Sequence, residues 1–284
     1  MCKWFIVAGG VVVIGSAIAM LIGYILEASK ADLKEATLLQ CATRPVGEIV
    51  SFDALGELPP PVERYFRHVL KDGQALINTA TLRQTGIIRT SMQKEEWNSF
   101  TARHLAVPLA GGFIWNAKVE MPIATHVRVL DSYIAGVGSG RVSLLSAVPV
   151  ASQIDTLELN SGALHRYLAE AVWYPTALLP QSGVVWSPIN DSSAMATLTN
   201  SGAAVSLEFR FNDVGEVIGI FTPARFGHFD GHYRQVPWEG HFQDYQTHAG
   251  MRVPLYGEVG WYANGKLELV WKGNITDAKY EFLQ

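Results

Sequence analysis

Ala203-Ala-Val-Ser-Leu-Glu-Phe-Arg-Phe211 is the stretch that decides the fold. In an extended chain Val205, Leu207, Phe209 and Phe211 fall on one face, and Ser206, Glu208 and Arg210 fall on the other. Asn212-Asp-Val-Gly215 then turns the chain into Glu216-Val-Ile-Gly-Ile-Phe221, so the two runs read as a hairpin. Working outward, similar runs occupy Thr81 to Thr90, Trp97 to Ala106, Gly112 to Glu120, Thr125 to Ile134 and Ala194 to Asn200. Three more follow at Trp238 to Thr247, Val253 to Tyr262 and Lys266 to Ile275. About ten strands joined by short turns describe an antiparallel sheet too large to stay flat, which must curl or split to bury its apolar face.

Two helices interrupt this pattern. Leu58 to Leu70 opens with three prolines, tolerated at a helix start because their missing N–H is not needed there, and spaces Val62, Phe66, Val69 and Leu70 on one face. Ser161 to Tyr174 offers a capping Ser161 and an apolar stripe of Leu164, Leu168, Ala171 and Val172 before Pro175. The expected fold is mainly β (α+β), a strongly curved or partly closed antiparallel sheet packed against that central helix. Gly136-Val-Gly138-Ser-Gly140 lacks the strand and helix setting of a phosphate loop and reads as a strand connection.

Trp4 to Leu26 carries no charged side chain. As a helix it would reach about 34 Å, enough for the hydrocarbon core of a bilayer. The run is too long for a signal peptide and shows no cleavage box before Glu27. The expected organisation is a single transmembrane anchor over 1–27, a connector over 28–56 that loses order around Arg44-Pro45-Val46-Gly47, and one β-rich domain over 57–284. Lys3 on one side and Lys30 and Lys34 on the other give little charge bias. The reading adopted is a bacterial inner (cytoplasmic) membrane protein, single-pass, with an extracytoplasmic body. Gly15, Ala19 and Gly23 recur every four residues and would suit a homodimer of membrane helices. Cys2 and Cys41 imply no intramolecular disulfide framework.

The formal net charge of −4, with no concentration of basic residues, argues against nucleic acid as a partner. Neither a nucleophile elbow nor a Walker or dinucleotide fingerprint is present in a suitable context. His228, His232, His241 and His248 crowd one quarter of the chain, but Phe229-Asp-Gly231 reads as a turn, so the helical spacing of the first two is not realised. No metal site and no cofactor are expected.

Several segments together resemble an uncharacterised prokaryotic family carrying a domain of unknown function, often behind N-terminal membrane helices. They are Thr101-Ala-Arg103, Pro108, Gly112 to Trp115, Arg166 to Pro180, Ser206 to Phe209, and Pro237 to Tyr245 with Val253-Pro254 and Gly257-Glu-Val259. The resemblance covers most of the body and brings no activity with it.

Two groups of residues carry chemistry. Arg166 and Glu170 stand four apart on the central helix with Trp173 and Tyr174 following, so a carboxylate and a guanidinium share one surface. If that helix is enclosed by the curl, Glu170 must be paired or useful. On the Trp238 to Tyr245 strand, alternation puts Glu239, His241, Gln243 and Tyr245 on one face, with Glu258 in a neighbouring strand as a third member of a general-base group. The ligand-binding candidates are therefore Arg166, Glu170, Trp173, Tyr174, Glu239, His241, Tyr245 and Glu258.

Three functions are open at this point. The first is a membrane-anchored binding module for an apolar or amphipathic ligand, similar to lipid carriers and lipocalin-type barrels, favoured by the curl and by Trp115, Trp173, Trp186, Trp238, Trp261 and Trp271. The alternatives are a non-catalytic interaction or structural domain, and a hydrolase-like enzyme using Glu170, His241 or Glu258.

Overall fold

A computed structural model describes residues 2–42 and 48–283, with side chains from Gly15 onward. Arg44 to Gly47, where the connector was expected to lose order, lie outside the described residues.

Thirteen strands form one antiparallel sheet. The first six are β1 (Ile77–Arg89), β2 (Trp97–Val107), β3 (Gly112–Met121), β4 (Thr125–Ile134), β5 (Val137–Leu144) and β6 (Val148–Ile154). The chain then crosses through a helix and returns as β7 (Val184–Asn190), β8 (Ser193–Asn200), β9 (Ala203–Phe211), β10 (Val217–Phe229), β11 (His232–His248), β12 (Met251–Ala263) and β13 (Lys266–Phe282). Each strand pairs with its sequence neighbour in both meanders, and β13 pairs with β1 to join them, so the open edges are β6 and β7. The expected alternation is observed in β9, where Val205, Leu207, Phe209 and Phe211 are buried. The Gly136 to Gly140 segment is corrected: only Ala135 and Gly136 turn, and Val137 onward is strand β5.

The crossing helix, α3 (Leu157–Glu170), packs against β4 and β5 near one edge and against β9 and β10 near the other. A single helix can touch both ends of such a sheet only if the sheet curls around it. Its cap is Thr156, whose side chain accepts a hydrogen bond from the Leu159 N–H at 3.2 Å, five residues before the expected cap Ser161. The expected stripe holds: Leu164, Leu168, Ala171 and Val172 are fully buried.

A shorter helix, α2 (Pro60–Val69), closes one end of the curl. Its buried Tyr65 and Phe66 meet Phe211 and Trp186, and its Arg64 donates to the Asp191 carbonyl in the β7–β8 turn. The β10–β11 turn, at the far end of β10, belongs to the opposite, open end.

The N-terminal helix α1 runs unbroken from Cys2 to Gln40, so the first part of the 28–56 segment is helical. From Glu27 onward it lies on the outer face of the sheet. Ala31 and Leu38 form a separate small core with Leu105, Val107, Ile114 and Leu130, the residues that alternate with the inward Ala106, Phe113 and Trp115. Arg141 donates twice to Glu27, at 2.6 and 2.7 Å, and Ser143 Oγ donates at 2.7 Å. Arg103 pairs with Glu35, and Lys34 Nζ donates to Ser139 Oγ at 2.8 Å. Among the described residues no helix is long and apolar enough to cross a membrane. The side chains of Trp4 to Ile14, nearly half of the expected span, lie outside them. Gly23 is used within the chain, since a Cβ there would sit 2.5 Å from the Ala147 carbonyl oxygen, while nothing lies within 4 Å of one built on Gly15. The Gly15, Ala19 and Gly23 face is thus partly taken by the body itself.

Candidate functional site

The open end of the curl holds a cavity of about 200 Å³ between the end of α3 and strands β1, β3, β4 and β10 to β13. Five of the six tryptophans singled out above line it: Trp115, Trp173, Trp238, Trp261 and Trp271. Trp186 does not. It is packed on Phe209 at the closed end and donates its indole N–H to the Leu178 carbonyl. A second cavity of about 280 Å³ adjoins the first and shares Asp131, Arg166, Arg225 and Trp261 with it, so these side chains form the partition between the two.

The partition is built by one helix turn and two strands. Arg166 Nε donates to Glu170 Oε1 at 2.7 Å across one turn of α3, and Arg166 Nη1 donates to Asp131 Oδ2 on β4 at 3.0 Å. Its guanidinium also lies 4.8 Å from the Trp115 ring centre and 5.2 Å from that of Phe113, so aromatic faces replace part of its lost hydration. Burial raises the Asp131 carboxyl above its ordinary range, an effect opposed by the Arg166 charge.

Arg225 arrives from β10 through a bulge. Thr222 pairs with Trp238 but Arg225 pairs with Val236, so β10 carries an extra residue beside Pro223, whose missing N–H suits an interrupted ladder. Such a bulge re-aims side chains. The Arg225 guanidinium stacks 4.4 Å from Trp238 and 5.0 Å from Trp261, and Nε and Nη2 both donate to the Gly162 carbonyl, at 3.2 and 2.9 Å. A side chain at position 162 would press on the Phe226 carbonyl at 2.9 Å, so the bare glycine lets α3 approach β10. Burial lowers the Arg225 pKa to about 9, and the nearby Arg166 charge adds to that shift.

His104 lies behind this group, fully buried and stacked between Phe113 and Tyr174. Its Nδ1 is 3.6 Å from Glu170 Oε2, and burial pushes its pKa down to about 4, so the ring is neutral at pH 7. Glu170 Oε2 and the indole N–H groups of Trp173 and Trp271 are buried without hydrogen-bond partners.

The sequence candidates thus separate. Arg166, Glu170 and Trp173 meet at the cavity. Tyr174 stands behind His104, its hydroxyl donated to the Tyr167 carbonyl. Glu239 and His241 lie on the outer face, because Trp238, Gly240 and Phe242 of the same strand point inward. Glu258 is in register with His241; it borders the cavity, but its carboxylate is bound to His241 Nδ1 at 3.3 Å and to the Tyr256 hydroxyl at 2.7 Å. Tyr245 is corrected: it does not share the Glu239 and His241 face. The β11–β12 register runs unbroken past it, but the left-handed backbone of Asp244, at φ 58°, interrupts the alternation, and Tyr245 packs against the inner core and donates to the Val217 carbonyl at 3.0 Å. Among the described residues no three His, Cys, Asp or Glu side chains are grouped to hold a metal.

The motif segments that frame this cavity, Gly112 to Trp115, Arg166 to Pro180 and Pro237 to Tyr245, are those of one family. The chain belongs to the family of unknown function DUF6920, whose model matches residues 56–280. The match begins after α1 and takes in every strand and both helices of the body. No curated protein matches the chain. Several solved structures resemble it loosely, two of them over most of its length. A LolA superfamily protein from Nitrosomonas europaea aligns with a TM-score of 0.40 at 10% identity, over 83% of this chain and 96% of its own. A DUF1329 family protein from Desulfovibrio piger aligns with a TM-score of 0.37 at 9% identity, over 92% and 93%.

Asp131, Arg225 and His104 are the site residues that sequence reading missed. Asp131 and His104 each occupy an inward position of a recognised strand, where a charged or titratable residue is already conspicuous. Pro223 inside a strand is a local sign of the bulge that brings in Arg225.

Proposed function

We propose that this chain binds a small amphipathic molecule at the open end of its curled sheet, while α1 keeps the body beside a membrane. The observation that carries this reading is the cavity itself, whose walls are mostly aromatic and aliphatic and whose polar groups converge at one place. Its volume of about 200 Å³ lies below the roughly 300–1,000 Å³ of common ligand pockets, which favours one short chain or one small ring over a whole multi-chain lipid.

Membrane attachment is supported by the uncharged run Trp4 to Leu26 and by the bare apolar surface of α1 before Glu27. Ile18, Leu21, Ile22 and Ile25 are each more than half exposed, a surface that water does not favour and lipid does. We place the protein in a bacterial inner membrane with the body on the extracytoplasmic side. Self-association through Gly15 and Ala19 is part of the same proposal, without Gly23.

The hydrolase-like alternative would use Glu170, His241 or Glu258. Glu170 is inside the curl and His241 outside it, held between Glu239 and Glu258 and away from the aromatic walls of the cavity, so the binding reading is preferred. The binding reading is tested by native mass spectrometry of the full chain released from membranes: a discrete added mass that disappears on delipidation is expected. A protein that carries no added mass and takes up none of a panel of amphiphiles would refute it.

A further inference from the structure

The polar groups at the cavity are unequally satisfied, and the inequality specifies the head group. Both carboxylates, Asp131 and Glu170, are bound to Arg166, and the remaining Glu170 oxygen lies 3.6 Å from His104 Nδ1 without a hydrogen bond. Arg225 forms no ion pair among the described residues. Of its five N–H groups, two go to the Gly162 carbonyl, and its Nη1 has no partner among the described residues. The indole N–H groups of Trp173, itself 3% exposed, and Trp271 are buried at the same cavity and have no acceptor either. Among the groups that line the cavity, unmatched donors on Arg225, Trp173 and Trp271 thus outnumber the one unmatched acceptor, Glu170 Oε2. A buried donor left unmade costs free energy that a bound acceptor recovers, and more so when one partner is charged.

We infer that the ligand is a monocarboxylate with an apolar body, its carboxylate held by Arg225 with the Trp173 and Trp271 indoles and its body among the aromatic walls. This rests on the binding reading above and adds the chemistry of the ligand. Cationic amphiphiles are excluded from this position by Arg225, and long-chain alcohols offer an acceptor without the charge. Glu170 acts here only through Arg166: it holds one guanidinium away from the ligand and leaves the other for it.

The test is a titration of the full chain in neutral-lipid nanodiscs at pH 7, read by cavity tryptophan fluorescence, with empty nanodiscs as blank. The probes are octanoate, 3-phenylpropionate, octanol and octyltrimethylammonium. Octanoate or 3-phenylpropionate is expected to bind about tenfold or more tighter than octanol, the scale of a hydrogen bond to a charged group. The better of the two acids says whether the natural body is a chain or a ring. Arg225→Gln should abolish the preference for acid over alcohol while leaving octanol binding in place, and Arg225→Lys should restore part of it. Equal binding of acid and alcohol by the unaltered protein, which needs no variant, would overturn the head-group assignment and leave the binding reading standing. Binding of none of the probes would overturn both.

Discussion

Two polar clusters occupy opposite faces of the same sheet, and only one of them is incomplete. On the outside, His241 is held between two carboxylates, with Nε2 2.9 Å from Glu239 and Nδ1 3.3 Å from Glu258. Tyr262 donates to the other Glu239 oxygen, Tyr256 to the other Glu258 oxygen, and Arg210 and Lys272 add ion pairs. Every side chain of that network has a partner, and solvent reaches its rim. On the inside, Arg166 serves two carboxylates at once while Arg225 has none, and two indoles, one Glu170 oxygen and both His104 nitrogens remain unmatched. Buried polar groups are almost always hydrogen-bonded, so a concentration of unmatched ones beside a cavity marks a place built for something else to complete. A dense polar network is not by itself a site; an unfinished one is the better candidate.

The contrast is open to measurement. Arg166→Met strands Asp131 and Glu170 without their shared cation, and removing one partner of a buried ion pair costs about 3–5 kcal/mol. A large fall in the urea midpoint is expected, and an unchanged midpoint would mean that the inner cluster is as solvated as the outer one. Leu168→Ala, at a fully buried position of the helix that carries the inner cluster, should cost about 2–5 kcal/mol. Lys266→Ala, at an exposed hairpin position, should leave the midpoint where it was, and equal midpoints for the two would place α3 on the surface.

Acid provides a third comparison. Burial lowers the pKa of both His104 and His165 to about 4. The unfolded chain takes up protons near the ordinary value of about 6.5, while the folded chain resists until about 4. Stability is therefore full above about pH 6.5 and is lost as pH falls towards 4, at up to about 1.4 kcal/mol per pH unit for each histidine. His104→Gln should reduce that acid slope by about half, since His165 keeps its own share. A slope unchanged by the substitution would show that His104 titrates alike in both states. The smallest effect belongs to the outer face, where His241→Gln should move stability by about 1 kcal/mol or less because its partners keep water and other donors. A loss as large as that of Arg166→Met would reverse the comparison.

Much of the fold was legible because period-two alternation is a local property. The runs around Val205, Trp97 and Lys266 needed no knowledge of their partners to be recognised as strands, and the stripe from Leu164 to Val172, along α3 and the 3-10 turn after it, announced a buried helix in the same way. The strands that escaped notice show where this fails. In β6 every residue from Val148 to Ile154 is exposed, so no buried face imposes a pattern, and β5 begins in glycines that resemble a turn. The site was half legible: Arg166, Glu170 and Trp173 declare themselves by helical spacing, whereas Arg225 depends on a bulge and Tyr245 on the left-handed backbone of Asp244. Either irregularity exchanges inside for outside, and neither alters composition or hydropathy.

By itself the sequence determined the antiparallel β architecture, the central helix, the uncharged N-terminal run and the family, because each is written in residues close together along the chain. Only the tertiary structure decided that the sheet joins through β1 and β13, that α1 lies along its outer face, and that α3 is enclosed. It also decided which guanidinium is spent and which remains available. Arg166, Asp131 and Arg225 come from a helix and two strands far apart in sequence, and the hydrogen bonds they make or lack exist only once the curl brings those elements within about 3 Å of one another.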